Sequence, residues 1–168
     1  MKKLIVLSGV PGSGKSYFSE LVKKSTSGHV YIVSSDNLRK QIAGHQQNLD
    51  FDLLMWKMFY ELPKVYSLDE NAIVILDSTN TLSKYRVDPN LELKKYFDQI
   101  DLVVFKINKD VLEKQNLDRE FPVPIEALTN YYQNFEMPNE KDKSFFDNIY
   151  IIDSNDFHKI VYKIISNE

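Results

Sequence analysis

Eight residues near the start of the chain limit its fold more than any others: Gly9-Val10-Pro11-Gly12-Ser13-Gly14-Lys15-Ser16. They follow Leu4 to Ser8, a short apolar run that fits a strand buried on both faces. They precede Tyr17 to Lys24, where Phe18, Leu21 and Val22 share one helical face. Gly9, Gly12 and Gly14 permit positive φ, so successive backbone N–H groups can converge on one concavity. The positive end of the following helix faces the same space. Lys15 is placed to reach the β- and γ-phosphates of a nucleotide, and the Ser16 hydroxyl to ligate Mg²⁺. Strand, glycine-rich turn and helix make this a phosphate-binding loop, with Gly9 through Tyr17 as the nucleotide-binding segment.

The remaining composition suits one domain with a sizeable core: 168 residues, 43% hydrophobic and 27% charged. A net charge of −3 argues against a broad basic surface for nucleic acid, though not against a short local groove. The absence of cysteine excludes disulfides, zinc–thiolate sites and a cysteine nucleophile. The three histidines lack metal-ligand spacing. No apolar run reaches membrane-spanning length and no signal peptide is visible, so a cytoplasmic protein without membrane contact is expected.

Val30 to Ser34, Ala72 to Leu76, Leu102 to Ile107 and Ile149 to Ile152 repeat the pattern of a buried strand. Helical periodicity fills the intervals. Asn37 to Ala43 is capped by Ser35 or Asp36 and stopped by Gly44. Phe51 to Leu62 is apolar around enough of its circumference to be buried on two sides, with Trp56 in the core. Lys64 to Leu68 follows a break at Pro63, and Leu82 to Val87 is separated from Leu91 to Phe97 by Pro89. Asp110 to Leu117 and a stretch opening at Pro124 complete the middle of the chain. Asn139 to Lys143 reads as a charged loop. A last helix aligns Phe157, Ile160, Val161, Ile164 and Ile165. Five buried strands alternating with helices specify an α/β fold: one domain over 1–168, its parallel sheet covered on both faces.

In such a sheet the ligand crevice lies beyond the carboxyl ends of the strands. The second strand runs into Ser34-Ser35-Asp36-Asn37-Leu38-Arg39, so Asp36 falls on the rim that carries the phosphate loop. A carboxylate there can take the proton of an attacking hydroxyl, with Arg39 on the same helical face; equally, Asp36 is a helix cap and Arg39 its partner. The third strand ends in Asp77, where an acid holds Mg²⁺ or its water. Arg119 is either a solvated surface residue or part of a segment that folds over the nucleotide and meets the transferring phosphoryl group. Lysines outnumber arginines 18 to 3, which singles out Arg39, Arg86 and Arg119, since arginine is hard to replace where it grips phosphate bidentately. Arg39 and Arg86 are assigned to the acceptor.

GVPGSGKS at 9–16, VSSDNLR at 33–39, VILDSTN at 74–80, QNLDR at 115–119, VPIEAL and YYQNFEMP within 123–138 and FFDNIYII at 145–152 occur in one order. In that order they resemble the P-loop kinases that include the kinase domain of phage polynucleotide kinase and its bacterial relatives. The resemblance implies a single P-loop kinase domain, sheet order 2-3-1-4-5, and a lid at about 115–123. It implies ATP as phosphate donor together with Mg²⁺. Lys15, Asp36 and Arg119 would be catalytic, with Asp36 as general base for a 5′-hydroxyl and Arg119 as the second lid arginine. Arg39 would hold the substrate's phosphate, and Ser16 and Asp77 would serve the metal. Gln115 stands where the family has its first lid arginine, and Ser78 where the phage enzyme has its aspartate. The implied acceptor is the 5′-hydroxyl end of a nucleic acid. A small-molecule alcohol is the alternative, because the family also holds kinases of other alcohols, and a nucleotide switch or hydrolase without acceptor is the third reading.

Overall fold

The computed structural model describes residues 1–153 and 156–166. At its centre lie five strands: β1 Lys3–Ser8, β2 Val30–Ser34, β3 Ile73–Asp77, β4 Gln99–Phe105 and β5 Asn148–Ile152. All pairs are parallel, in the order β2-β3-β1-β4-β5. β1 is buried along its whole length because strands flank it on both sides and helices cover both faces. Its alternate side chains part accordingly. Leu4 and Val6 join a cluster with Leu38 of α2 (Ser35–Ala43), Met55 and Phe59 of α3 (Asp52–Tyr66) and Phe145 of α7 (Glu140–Phe145). Ile5 and Leu7 join Phe18 and Val22 of α1 (Lys15–Ser25) and Ile160, Val161 and Ile164 of α8 (Phe157–Ser166). The remaining helices are α4 (Ser83–Val87), α5 (Lys109–Leu117) and α6 (Ile125–Gln133).

Several local expectations are corrected. α3 runs unbroken through Pro63, which is buried in line with Met55 and Phe59; the packing of that stripe outweighs the one backbone hydrogen bond proline cannot donate. The helix is buried on one side only, since Leu53, Leu54 and Met58 are exposed, as is Phe51 just before it. Pro89 does not separate two helices: it opens a 3₁₀ stretch, Asp88–Lys95, that continues directly from α4. β4 starts three residues earlier than its apolar run and ends at Phe105, because Asp101 is accommodated inside the sheet by hydrogen bonds from the Gln99 and Asn148 amides. The charged run from Asn139 is helix α7, closed by a capping box in which the Asn139 side chain accepts from the backbone N–H of Asp142 and the Asp142 carboxylate accepts from that of Asn139.

Arg86 is the largest correction. It does not meet an acceptor; its side chain is fully buried. Nε and Nη2 donate to the two oxygens of Asp142 at 2.8 and 3.0 Å, and Nη1 donates to the Glu136 carbonyl at 2.7 Å. Burial alone would raise the Asp142 carboxyl, but the hydrogen bonds from Arg86 and from the Asn139 backbone outweigh it and hold the group below the ordinary carboxylate range. Removing one partner strands a buried charge, so Asp142→Ala is expected to lower unfolding free energy by about 3–5 kcal/mol, measured by urea denaturation.

Candidate active site

β1 delivers the chain into the loop at Gly9, whose N–H donates to the Thr79 carbonyl beyond β3 at 2.9 Å. Gly12 and Gly14 have φ of +83° and +92°, the left-handed values that glycine tolerates. Gly9 is glycine for another reason: a Cβ there would lie 2.5 Å from Ser13 Oγ and 2.9 Å from Phe105 Cβ, while its φ is not positive. The Lys15 ammonium folds over the loop and donates to the carbonyls of Gly9 and Val10 at 2.8 and 3.0 Å. Val10 thus contributes its backbone, its side chain being buried. Burial pushes the Lys15 ammonium down to about 8; Asp77 and Asp36 oppose that and the Arg119 charge adds to it.

Ser16 Oγ donates to Asp77 Oδ2 at 2.9 Å. Asp77 is buried at the tip of β3, and burial raises its pKa against the pull of Lys15 and the Ser16 hydroxyl. A hydroxyl and a carboxylate joined at the wall of a cleft form an oxygen donor set of the kind a hard divalent cation takes.

On the neighbouring strand the helix cap is Ser34, whose hydroxyl accepts from the Asn37 N–H, rather than Ser35 or Asp36. Asp36 therefore has no capping duty and lines the cleft half-exposed. Arg39 lies 3.5 Å from Asp36, a loose contact, and is held mainly by Asp52 of α3, which accepts from Arg39 Nε at 2.7 Å. The other Asp52 oxygen accepts from Trp56 Nε1 at 2.9 Å, and the Arg39 guanidinium lies over the Trp56 ring at 5.6 Å. Trp56 is thus only partly in the core: it lines the cleft and braces Arg39.

Arg119, on the turn after α5, lines the same cleft. The Asn116 side chain spans that turn as a backbone would, donating to the Val123 carbonyl at 2.8 Å and accepting from the Val123 N–H at 2.9 Å. Beside that turn, Phe121 meets His45 edge-on at 4.7 Å. The cleft has a volume of about 730 Å³. It gathers Pro11, Gly12, Gly14, Lys15, Ser16 and Tyr17 of the loop with Asp36, Arg39, Asp77, Gln115 and Arg119. Asp52, Trp56 and Tyr131 were missed as site residues. A basic and an acidic residue at i and i+13 carry no helical or strand periodicity that would pair them.

A family model described as an AAA domain matches residues 4–138. The chain belongs to this AAA-domain family. Among curated relatives, L-seryl-tRNA(Sec) kinase of Methanococcus maripaludis is 28% identical over 150 residues, covering 82% of this chain and 54% of the relative. The chain spans about half the length of the curated relatives it matches. Of solved structures, Kti12 of Chaetomium thermophilum in complex with ADP-AlF3 superposes with a TM-score of 0.72 at 18% identity, covering 97% of both chains. A fungal RNA kinase gives 0.62 at 16% identity, covering 99% of this chain and 84% of that one. A gluconokinase of Sinorhizobium meliloti gives 0.61 at 17%, covering 98% and 90%. These likenesses carry the fold, which is that of a P-loop kinase. Among the described residues no helix is long and apolar enough to cross a membrane.

The Lys15 ammonium gives the site a pH dependence. Its proton leaves near pH 8, and the charge that attracts phosphate leaves with it. ATP affinity is expected to fall as pH rises from 7 to 9. Calorimetry in buffers of different ionisation enthalpy should register proton uptake on binding near pH 8, and Lys15→Met should bind weakly and without that uptake.

Proposed function

We propose that the chain is an ATP-dependent kinase that transfers the γ-phosphoryl group to a hydroxyl, and that the acceptor is the 5′-hydroxyl end of a polynucleotide. The observation that carries this reading is the Asp36–Arg39 pair. Asp36 is a carboxylate without capping duty, on the cleft that the phosphate loop also lines, and Arg39 beside it is braced by Asp52 and Trp56. A general base needs the first of these, and a substrate phosphate next to the reacting oxygen needs the second. A relative named as a kinase of a tRNA-borne residue and the RNA kinase fold are consistent with a nucleic-acid acceptor.

In this reading the triphosphate lies along Gly9–Ser16, and Lys15 turns from the loop carbonyls to the β- and γ-phosphates. Asp36 takes the proton of the acceptor hydroxyl as its oxygen attacks the γ-phosphorus. The bond from that phosphorus to the β–γ bridging oxygen breaks, and ADP leaves. Arg119, on the turn that serves as lid, offsets the charge that spreads over the transferring group. Ser16 and Asp77 fit Mg²⁺, which when bound would screen the phosphates' charge.

A small-molecule alcohol kinase is the second reading. It is favoured by the few cations on the cleft, Lys15, Arg39 and Arg119, and by the gluconokinase fold. The two separate on the acceptor. With so few ion contacts, oligonucleotides should show a shallow salt slope, near −0.7 per contact. A nucleoside 3′-phosphate should be used far better than the plain nucleoside, and Arg39→Ala should erase the difference. If the nucleoside or a sugar serves as well, the small-molecule reading replaces the first. Asp36→Asn should lower kcat by about 10²-fold or more and leave ATP affinity nearly intact. A collapse of ATP affinity with kcat preserved would make Asp36 structural.

A further inference from the structure

Three buried side-chain oxygens have no hydrogen-bond partner among the described residues: those of Ser13, Ser78 and Asn90. Ser13 Oγ packs against Gly9 inside the loop, and Asn90 lies in the 3₁₀ stretch away from the cleft. Only Ser78 among them lines the cleft. It follows Asp77 at the carboxyl end of β3 and is 4% exposed.

The backbone that carries Ser78 is pinned from both sides. Asp77 accepts from Ser16, and the Thr79 carbonyl accepts from the Gly9 N–H. Asn80 donates through its amide to the Leu7 carbonyl and accepts at its own carbonyl from Ser8 Oγ. In the sheet β3 stands between β2, which leads to Asp36, and β1, which leads to the loop. Ser78 therefore sits at the seam between the proposed base and the phosphate site, on backbone tied to the loop by the hydrogen bonds of Thr79 and Asn80. A hydroxyl buried without a partner destabilises a fold unless a ligand completes it. Its O–H and both lone pairs are free, and of these the O–H is what an adjoining anion site can use.

We infer that Ser78 is a further catalytic residue: its hydroxyl donates a hydrogen bond to a non-bridging oxygen of the phosphoryl group in transfer. This rests on the kinase reading above and adds to it a group that acts on the charge developing midway between donor and acceptor. A neutral donor to a charged oxygen strengthens as that charge builds, so the effect belongs to the transition state rather than to bound ADP.

The test is Ser78→Ala, with binding of ADP and of ADP plus aluminium fluoride measured by calorimetry in the presence of Mg²⁺. This readout requires no acceptor, so it survives a wrong assignment of the acceptor. Affinity for the aluminium fluoride complex is expected to fall about 10- to 100-fold while ADP affinity stays within about twofold. The melting temperature should be no lower than that of the parent, because an unpaired hydroxyl has been removed. Unchanged affinity for the aluminium fluoride complex overturns the inference. A parallel loss of ADP affinity or of melting temperature also overturns it, since Ser78 would then be structural. A parent that binds the aluminium fluoride complex no better than ADP overturns the kinase reading and this inference with it.

Discussion

A glycine-rich loop keeps one shape only if the chain on either side of it is fixed, and here the fixing is done by the exit of β3. Gly9 hydrogen-bonds to Thr79, Leu7 and Ser8 to Asn80, and Ser16 to Asp77. Asn80 takes a positive φ of 41° to make these contacts. Arg86 reaches Ser8 Oγ from behind at 3.3 Å and carries the restraint on to Asp142 and Glu136. Glu136 in turn accepts from Ser83 and donates its backbone N–H to the Thr81 carbonyl. One buried polar network thus joins the phosphate loop, Asp77 at the end of β3 and the base of the arm bearing α6. Such a network specifies geometry more than it adds stability.

The electrostatics follow from that geometry. Lys15 and Asp77 are both buried, and each shifts the other toward its charged form while burial works against both. Neither would hold its charge in the cleft wall alone. Asp36 and Arg39 lie further out, where solvent lowers the penalty, and Arg39 needs orientation more than charge compensation. Asp52 and Trp56 supply that orientation from a separate helix.

Much of this was legible wherever the determinant is local. Gly9 to Ser16 carry their own geometry, and the place of Asp36 and Asp77 on the cleft could be read because strand ends in a parallel sheet meet on one rim. The network was hidden because its partners are distant: Arg86 and Asp142 are 56 residues apart. Arg86 was misassigned on residue type alone, since a guanidinium that suits a phosphate suits a buried carboxylate equally well. Asn139 and Asp142 held a local cap signature, but their charge made the segment read as loop. Asp101 likewise hid the first half of β4, because a carboxylate in a strand is tolerated only when amides such as those of Gln99 and Asn148 meet it.

The burial of Lys15 has a chemical consequence beyond binding. Burial brings its proton within reach of ordinary buffers, near pH 8, yet its Nζ is held against the Gly9 and Val10 carbonyls, so the amine meets small molecules only when it turns from them into the cleft. Amine-directed acylating reagents would find in it a reactive centre inside the phosphate loop. A nucleotide seated there would restore the proton and close the approach, so the extent of modification would itself count how many molecules are loaded.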